Sequence, residues 1–288
     1  MKSYSIKTDS KEIIEYLLNE IEKLDFPNIY YCNKSFKIYE NVIMHYANDD
    51  VVKFKNIVSK IITDAEMKFY QERIFKRIIN VNYFYFQQWE KNAIYENCIE
   101  FINHDIEEIY ETLFNCILKY IEEKRNVYLE AIINFRATQY IKILDDIVDM
   151  AVNKYIIEKE YNEFIELLKI YVSSTEAKTE LLHLIYTNGE SILLDKDKNI
   201  IQISNDIANT KFLSDISFSS NDIALNSLLS MLPKRIEVHV IDKEDEFINT
   251  LKLIFENRIR ICEDCSICKT YRMLNRVNCY NSPSGIKL

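Results

Sequence analysis

Only two glycines occur in 288 residues, Gly189 and Gly285, and this scarcity limits what the chain can build. Glycine is the residue that enters positive φ freely and lets a backbone approach a ligand closely. A phosphate-binding loop or a dinucleotide fingerprint needs several glycines, set between a strand and a helix. Gly189 and Gly285 each stand alone, and no G-x-S-x-G turn is present. Common nucleotide-binding and serine-hydrolase chemistry is therefore set aside. Apolar residues make up 48% and charged residues 28%, an ordinary globular balance. The length suits one large domain or two modest ones with their own cores.

Hydrophobic periodicity divides the chain. Residues 2–7 alternate as a short strand, and Asp9 with Glu12 reads as a capping box for a helix reaching Leu24. Ile29–Cys32 and Phe36–His45 flank Asn33-Lys34-Ser35 as a hairpin, which gives a small βαββ unit over 1–48. From Val51 the period becomes helical, with breaks near Asn80–Asn82 and Asn103-His104. The segment from Ile132 to Tyr155 and a further helix to Val172 complete a bundle-like helical body over 49–173.

A C-terminal part over 174–262 follows. Asn188-Gly189 predicts a type I′ hairpin between Leu181–Thr187 and Glu190–Leu194. Ile200–Ile203 reads as a third strand, and Ile223–Leu232 as a helix stopped by Pro233. Ile236–Ile241, Glu244–Glu256 and Ile259–Cys262 then read as strand, helix, strand. Residues 263–288 form a cysteine-containing tail. The expected class is α+β, mostly helical, ending in a mixed sheet built from a β-hairpin and a βαβ unit.

A net charge of −9 repels nucleic acid and anionic lipid on average. The local basic run Lys68, Arg73, Lys76 and Arg77 reads as a solvated helix face. The aromatic run Tyr83–Phe86 with Trp89 reads as core packing rather than a base-stacking surface. No apolar h-region opens the chain and no apolar run is long enough to span a membrane, so a cytoplasmic location is expected. In that reducing compartment seven cysteines point to thiol or metal chemistry rather than disulfides.

Cys262-x-x-Cys265-x-x-Cys268, followed by Cys279, is the sharpest constellation. Thiols at this spacing can converge on one ion, and a fourth completes a Cys₄ site for zinc or an iron–sulfur cluster. A bacterial ferredoxin motif would want its fourth cysteine where Arg272 stands, and its proline is missing. A set of reduced thiols near a polar C-terminus is the alternative. If the strands ending at Ile241 and Cys262 are parallel neighbours, Asp242 and Cys262 share an edge. His239 lies just inside it, as a ligand, a base or, more commonly for a strand histidine, a packed side chain. His45, His104 and His183 are scattered. Asp195, Asp197, Asn199 and Asp206 imitate a calcium loop, but Ile200 replaces the required glycine, so a strand-connecting turn is expected. Arg136 and Glu158–Glu163 read as ion pairs and caps between two helices.

The segment Ala131–Val172, with Asn134-Phe135-Arg136, Val148–Val152 and Glu158–Phe164, resembles the central signature of the YtxC-like sporulation proteins of endospore-forming bacteria. Asn82–Phe86, Pro233–Ile236 and Ile261 through Cys268 fit the same resemblance. It implies a role in sporulation and assigns no reaction, substrate or catalytic residue. The leading expectation is a non-enzymatic factor that contacts a protein partner and carries a structural metal site at the cysteines. The alternative is a metal- or iron–sulfur-dependent redox sensor or enzyme at the C-terminal sheet edge.

Overall fold

Strand β1, Lys2–Thr8, alternates its side chains so that Tyr4, Ile6 and Thr8 turn inward. The computed structural model describes residues 2–24, 26–48, 50–201, 219–241, 245–262 and 264–280, with side chains described as far as 273. By its internal contacts the chain forms two units, Met1–Glu158 and Lys159–Leu288.

In the first unit, helix α1 (Lys11–Glu22) buries Ile13, Leu17 and Ile21. Its N-cap is Ser10, whose hydroxyl accepts from the Ile13 N–H, one residue beyond the expected Asp9. The Asp9 N–H instead donates to Glu130. Strands β2 (Ile29–Ser35) and β3 (Glu40–Tyr46) pair antiparallel, and the turn falls at Phe36–Tyr39 rather than at Asn33–Ser35. Asn33, Lys34 and Ser35 are tolerated in the ladder because β2 is the sheet edge and faces solvent.

Helices α2 (Val51–Asn82), α3 (Gln88–His104) and α4 (Ile106–Glu123) form the expected helical region. A short strand β4 (Asn126–Tyr128) then runs parallel to β1, giving the order β2-β3-β1-β4. Helix α5 covers Leu129–Phe135. Helix α6, Thr138–Ser174, is continuous where two helices were expected. The run Glu158–Glu163 contains no glycine or proline, so the helix propagates through.

The basic run behaves as a surface face. Lys68 sits 4.3 Å from the Tyr16 ring, and Lys76 pairs with Glu72. The aromatic run does not pack as expected. Tyr83 and Phe86 lean on the core, but Phe84 is 73% and Trp89 63% exposed at the α2–α3 turn.

In the second unit, β5 (Thr179–Thr187) and β6 (Glu190–Leu194) join through Asn188 and Gly189, both at positive φ (52° and 78°). This is the type I′ turn that the Asn-Gly pair predicts. The next turn is closed by Asp195, whose Oδ1 accepts from the Asp197 and Asn199 N–H groups, so these residues shape a loop. Ile200 makes a single bridge to Leu194 and the Ile201 N–H donates to the Leu193 carbonyl; residues 202 and 203 of the expected third strand, and Asp206, lie outside the described residues. Helix α7 (Ser220–Met231) starts from a Ser219–Asp222 capping box, and Pro233 opens strand β7 (Pro233–Val240). Helix α8 (Glu246–Phe255), strand β8 (Ile259–Ile261) and helix α9 (Ser266–Tyr280) complete the unit.

The sheet order is β6-β5-β7-β8, with β5, β7 and β8 mutually parallel and β6 antiparallel. Its core is Leu184, Leu228, Ile236, Val238, Ile248 and Leu251. The fold is thus α+β, with an N-terminal βαββ, a central helical region and a C-terminal mixed sheet.

Candidate metal centre

The register of the two parallel strands builds this site. Val238 is level with Ile261, so His239 and Cys262 leave the carboxyl ends of β7 and β8 side by side. The Cys262 N–H donates to the Val238 carbonyl at 2.8 Å and continues the ladder by one residue. Cys265 stands immediately before α9, with its carbonyl accepting from the Lys269 N–H. Cys268 lies in the first turn, so the two-residue spacing puts both thiols at the helix start.

The four side chains converge. Cys265 Sγ and Cys268 Sγ lie 3.4 and 3.5 Å from His239 Nδ1. Cys268 Sγ lies 3.8 Å from both Cys265 Sγ and Cys262 Sγ. All four ligand atoms fall within 4.8 Å of one another. A tetrahedral zinc with bonds of about 2.3 Å to sulfur and about 2.0 Å to nitrogen has edges of about 3.8 Å (S···S) and about 3.5 Å (S···N). The donor set and its spacing fit a single tetrahedral ion. A [4Fe–4S] cluster would place each thiolate on a different iron, and the sulfurs would stand further apart than one tetrahedron's edge.

Electrostatics point the same way. Burial and the neighbouring thiols of Cys265 and Cys268 push the Cys262 thiol up to about 12. Burial opposes ionisation of Cys265 too. The Cys268 and Ile267 N–H groups and the Cys262 and Cys268 thiols nonetheless hold it below the ordinary thiol range. Thiolates packed this closely repel one another, and a divalent ion held between them would offset that repulsion.

Burial also lowers His239 and His183, which keeps both imidazoles neutral, the form that ligates. His239 is 1% exposed, and its Nε2 sits 3.0 Å from His183 Nδ1. His183 Nδ1 in turn lies 3.5 Å from Glu237 Oε2. With Nδ1 on a metal, the proton of His239 must be on Nε2, donated to His183 Nδ1.

Of the residues singled out from sequence, Cys262, Cys265 and Cys268 meet. Cys279 falls within α9, but its side chain lies outside the described residues, as does Asp242. His183, which looked scattered, sits on β5 beside β7, level with Glu237. It is 56 residues from His239, so no local motif shows the pair. The available signal was that both are polar residues within apolar strands. His45 bonds Ser3 Oγ at 2.7 Å in the other sheet. His104 ends α3.

Comparison with known proteins adds three findings. The profile of the YtxC-like family matches residues 56–260. The uncharacterized protein YtxC of Bacillus subtilis (strain 168) is 23% identical over 134 residues, which are 46% of this chain and 47% of that protein. The similarity thus spans about half the length of that curated relative. No solved structure matches. The family match includes His183, Glu237 and His239 and stops two residues before Cys262.

Proposed function

The chain belongs to the YtxC-like family, and we propose that it is a zinc-stapled protein-interaction factor acting in sporulation. The carrying observation is the set of four ligand atoms at tetrahedral spacing, His239 Nδ1 with the thiols of Cys262, Cys265 and Cys268. All four coordination positions come from the protein. Closed sites of this kind are structural, whereas catalytic zinc keeps one position for water or substrate. The ion would tie the start of α9 to the ends of β7 and β8, next to Ile185, Leu194 and Ile241.

The interaction reading draws on α6, where Phe164, Leu167 and Ile170 are 53%, 65% and 59% exposed. Three large apolar side chains exposed at three-residue intervals on one helix suit a protein partner. No helix among the described residues is long and apolar enough to cross a membrane. Sporulation and a cytoplasmic setting rest on the resemblance and on the reduced thiols. The test is zinc content after purification without oxygen, with partner recovery from sporulating cells compared between the natural chain and Phe164→Glu. Zinc with partner loss in the variant supports the reading; an unchanged partner set removes the α6 surface from it.

A second reading follows from the approach of Cys265 Sγ to Cys268 Sγ at 3.8 Å, which sets two thiols side by side. Two of the thiolates would give two electrons to a peroxide, form a disulfide and release the ion, with the peroxide reduced to water. Zinc release at stoichiometric peroxide, reversed by dithiol reductant, favours this sensor role. Slow release only at large excess leaves the staple.

A further inference from the structure

The corner where α2 gives way to α3 leaves aromatic side chains uncovered in the first unit. Phe84, Tyr85 and Trp89 are 73%, 58% and 63% exposed. Ring contacts join them into one surface. The Phe84 ring lies 5.8 Å from Tyr85, and Tyr85 lies 6.3 Å from Tyr83 and 4.7 Å from Phe86. Phe86 and Trp89 both meet the Tyr155 ring of α6, at 5.7 and 6.5 Å. Apolar side chains exposed singly are ordinary, whereas adjoining ones mark a surface that takes part in binding.

Carboxylates of α6 border these rings. Tyr83 donates its hydroxyl to Asp149 Oδ1, and Asn82 Nδ2 donates to Asp145 Oδ1 at 3.2 Å, so both side chains are held against the corner. Asp146 and Asp149 are exposed and Asp145 is half-buried. Burial, then Asp149, then Asp146 raise the Asp145 carboxyl, and no cation offsets them. Three lysines stand nearby. Lys154 is taken by Glu100 at 2.7 Å, Lys91 Nζ lies 3.1 Å from Asn80 Oδ1, and Lys142 is exposed one turn before the aspartates. Among the described residues none of the three pairs with Asp145, Asp146 or Asp149. Glu90, next to Trp89, is buried and accepts from the Gln87 N–H and the Tyr155 hydroxyl.

Charge selects what can cover the rings. Nucleic acid or an anionic lipid surface would bring phosphates against Asp146 and Asp149. A wholly apolar partner would take those carboxylates out of water unpaired. A segment with lysine or arginine among apolar residues suits both features, because its cations can meet a carboxylate and a ring face alike. The chain's own basic run is already engaged: Lys68 and Arg73 lie over the Tyr16 and Tyr70 rings, Lys76 pairs with Glu72, and Arg77 contacts Asn134. We propose that the α2–α3 corner, with Asp145, Asp146 and Asp149 of α6, is a docking surface for a basic amphipathic segment of another protein. This surface is additional to the one at Phe164 and needs no metal.

Trp89 is the chain's one tryptophan, so its emission reports on this surface directly. The full chain is titrated with an amphipathic leucine–lysine peptide, with its leucine–glutamate counterpart and with poly(U). The leucine–lysine peptide is expected to shift the emission to the blue and saturate, and the other two to leave it unchanged. Asp146→Asn/Asp149→Asn keeps an acceptor for Tyr83 and should weaken the peptide about tenfold, the loss of two exposed ion pairs near the upper end of their usual strength. Phe84→Ser/Tyr85→Ser should weaken it as well; if that variant does not fold, the aspartate pair decides. Glu107→Gln/Glu108→Gln removes the same charge from exposed positions in the first turn of α4 and should bind like the natural chain. Phe164→Glu should also bind normally, which separates this surface from the other one. No blue shift with the leucine–lysine peptide, equal binding of the leucine–glutamate peptide, affinity retained in the aspartate variant, or the same loss in the α4 variant or in Phe164→Glu would overturn the proposal.

Discussion

The two ring nitrogens of His239 have different tasks, Nδ1 facing the thiols and Nε2 facing His183 at 3.0 Å. A partner of this kind fixes the tautomer and aim of a metal ligand, and its loss weakens metal binding by about 10–100-fold. His183→Ala is therefore expected to lose zinc to a competing chelator at about that ratio, while stoichiometry at saturating zinc stays unchanged. Glu66 makes a second residue-scale prediction. It is fully buried, both its carboxylate oxygens lack partners, and burial followed by the nearby Glu130 raises its carboxyl well above the ordinary 4.5. A raised pKa means the folded state binds the proton more tightly than the unfolded chain. The associated stability is fully present below about 4.5 and is lost as pH rises toward the folded value. Glu66→Met should therefore raise Tm by an amount that grows as pH rises from about 4.5 to the folded value and levels off above it; a gain independent of pH would refute the assignment. Residue roles were legible from sequence where spacing was local, as for Cys262, Cys265 and Cys268. His183, Glu66 and Glu130 were not, because their partners come from other elements.

At the scale of elements, local chemistry was readable where one residue type dictates one conformation. Asn188-Gly189 specifies its turn, and Gly189 has φ +78° with open space around an added Cβ. Gly189→Ala should thus cost about 1 kcal/mol through backbone strain alone, measured by urea unfolding; a cost well above that would mean an unseen steric contact. The periods of β1, α1 and α2 were visible because each buries one face, whereas β5 and β7 read as apolar runs because the sheet covers adjacent residues such as Leu182–Tyr186 on both faces. Other features were set by tertiary pairing. Strand β4 is three residues long and exists because Ser5, Ile6 and Lys7 offer it an edge. The β2–β3 turn moved because the ladder pairs Ser35 with Glu40, which no local pattern announces. Polar residues inside α6 resembled a helix boundary, but helix formers continue across them.

The whole chain has two units with separate cores, the first joining a four-stranded sheet to helices and the second resting on the mixed sheet. The α+β class followed from the changes in period along the chain, because each change marks a different way of burying apolar surface. The parallel neighbours β7 and β8 bring His239 and the first cysteine together, a juxtaposition that sequence supports only if strand order is assumed. Removing the metal should loosen the second unit where the ligands reside. Amide exchange after chelation is expected to rise in β7, β8 and the start of α9, and to stay unchanged in β1 and β3. The most direct test of the central claim is the metal content of protein purified without oxygen, compared with Cys265→Ser. One zinc per chain is expected, lost or sharply weakened in the variant. Absence of stoichiometric metal in the natural chain, or equal zinc in both proteins, would contradict it.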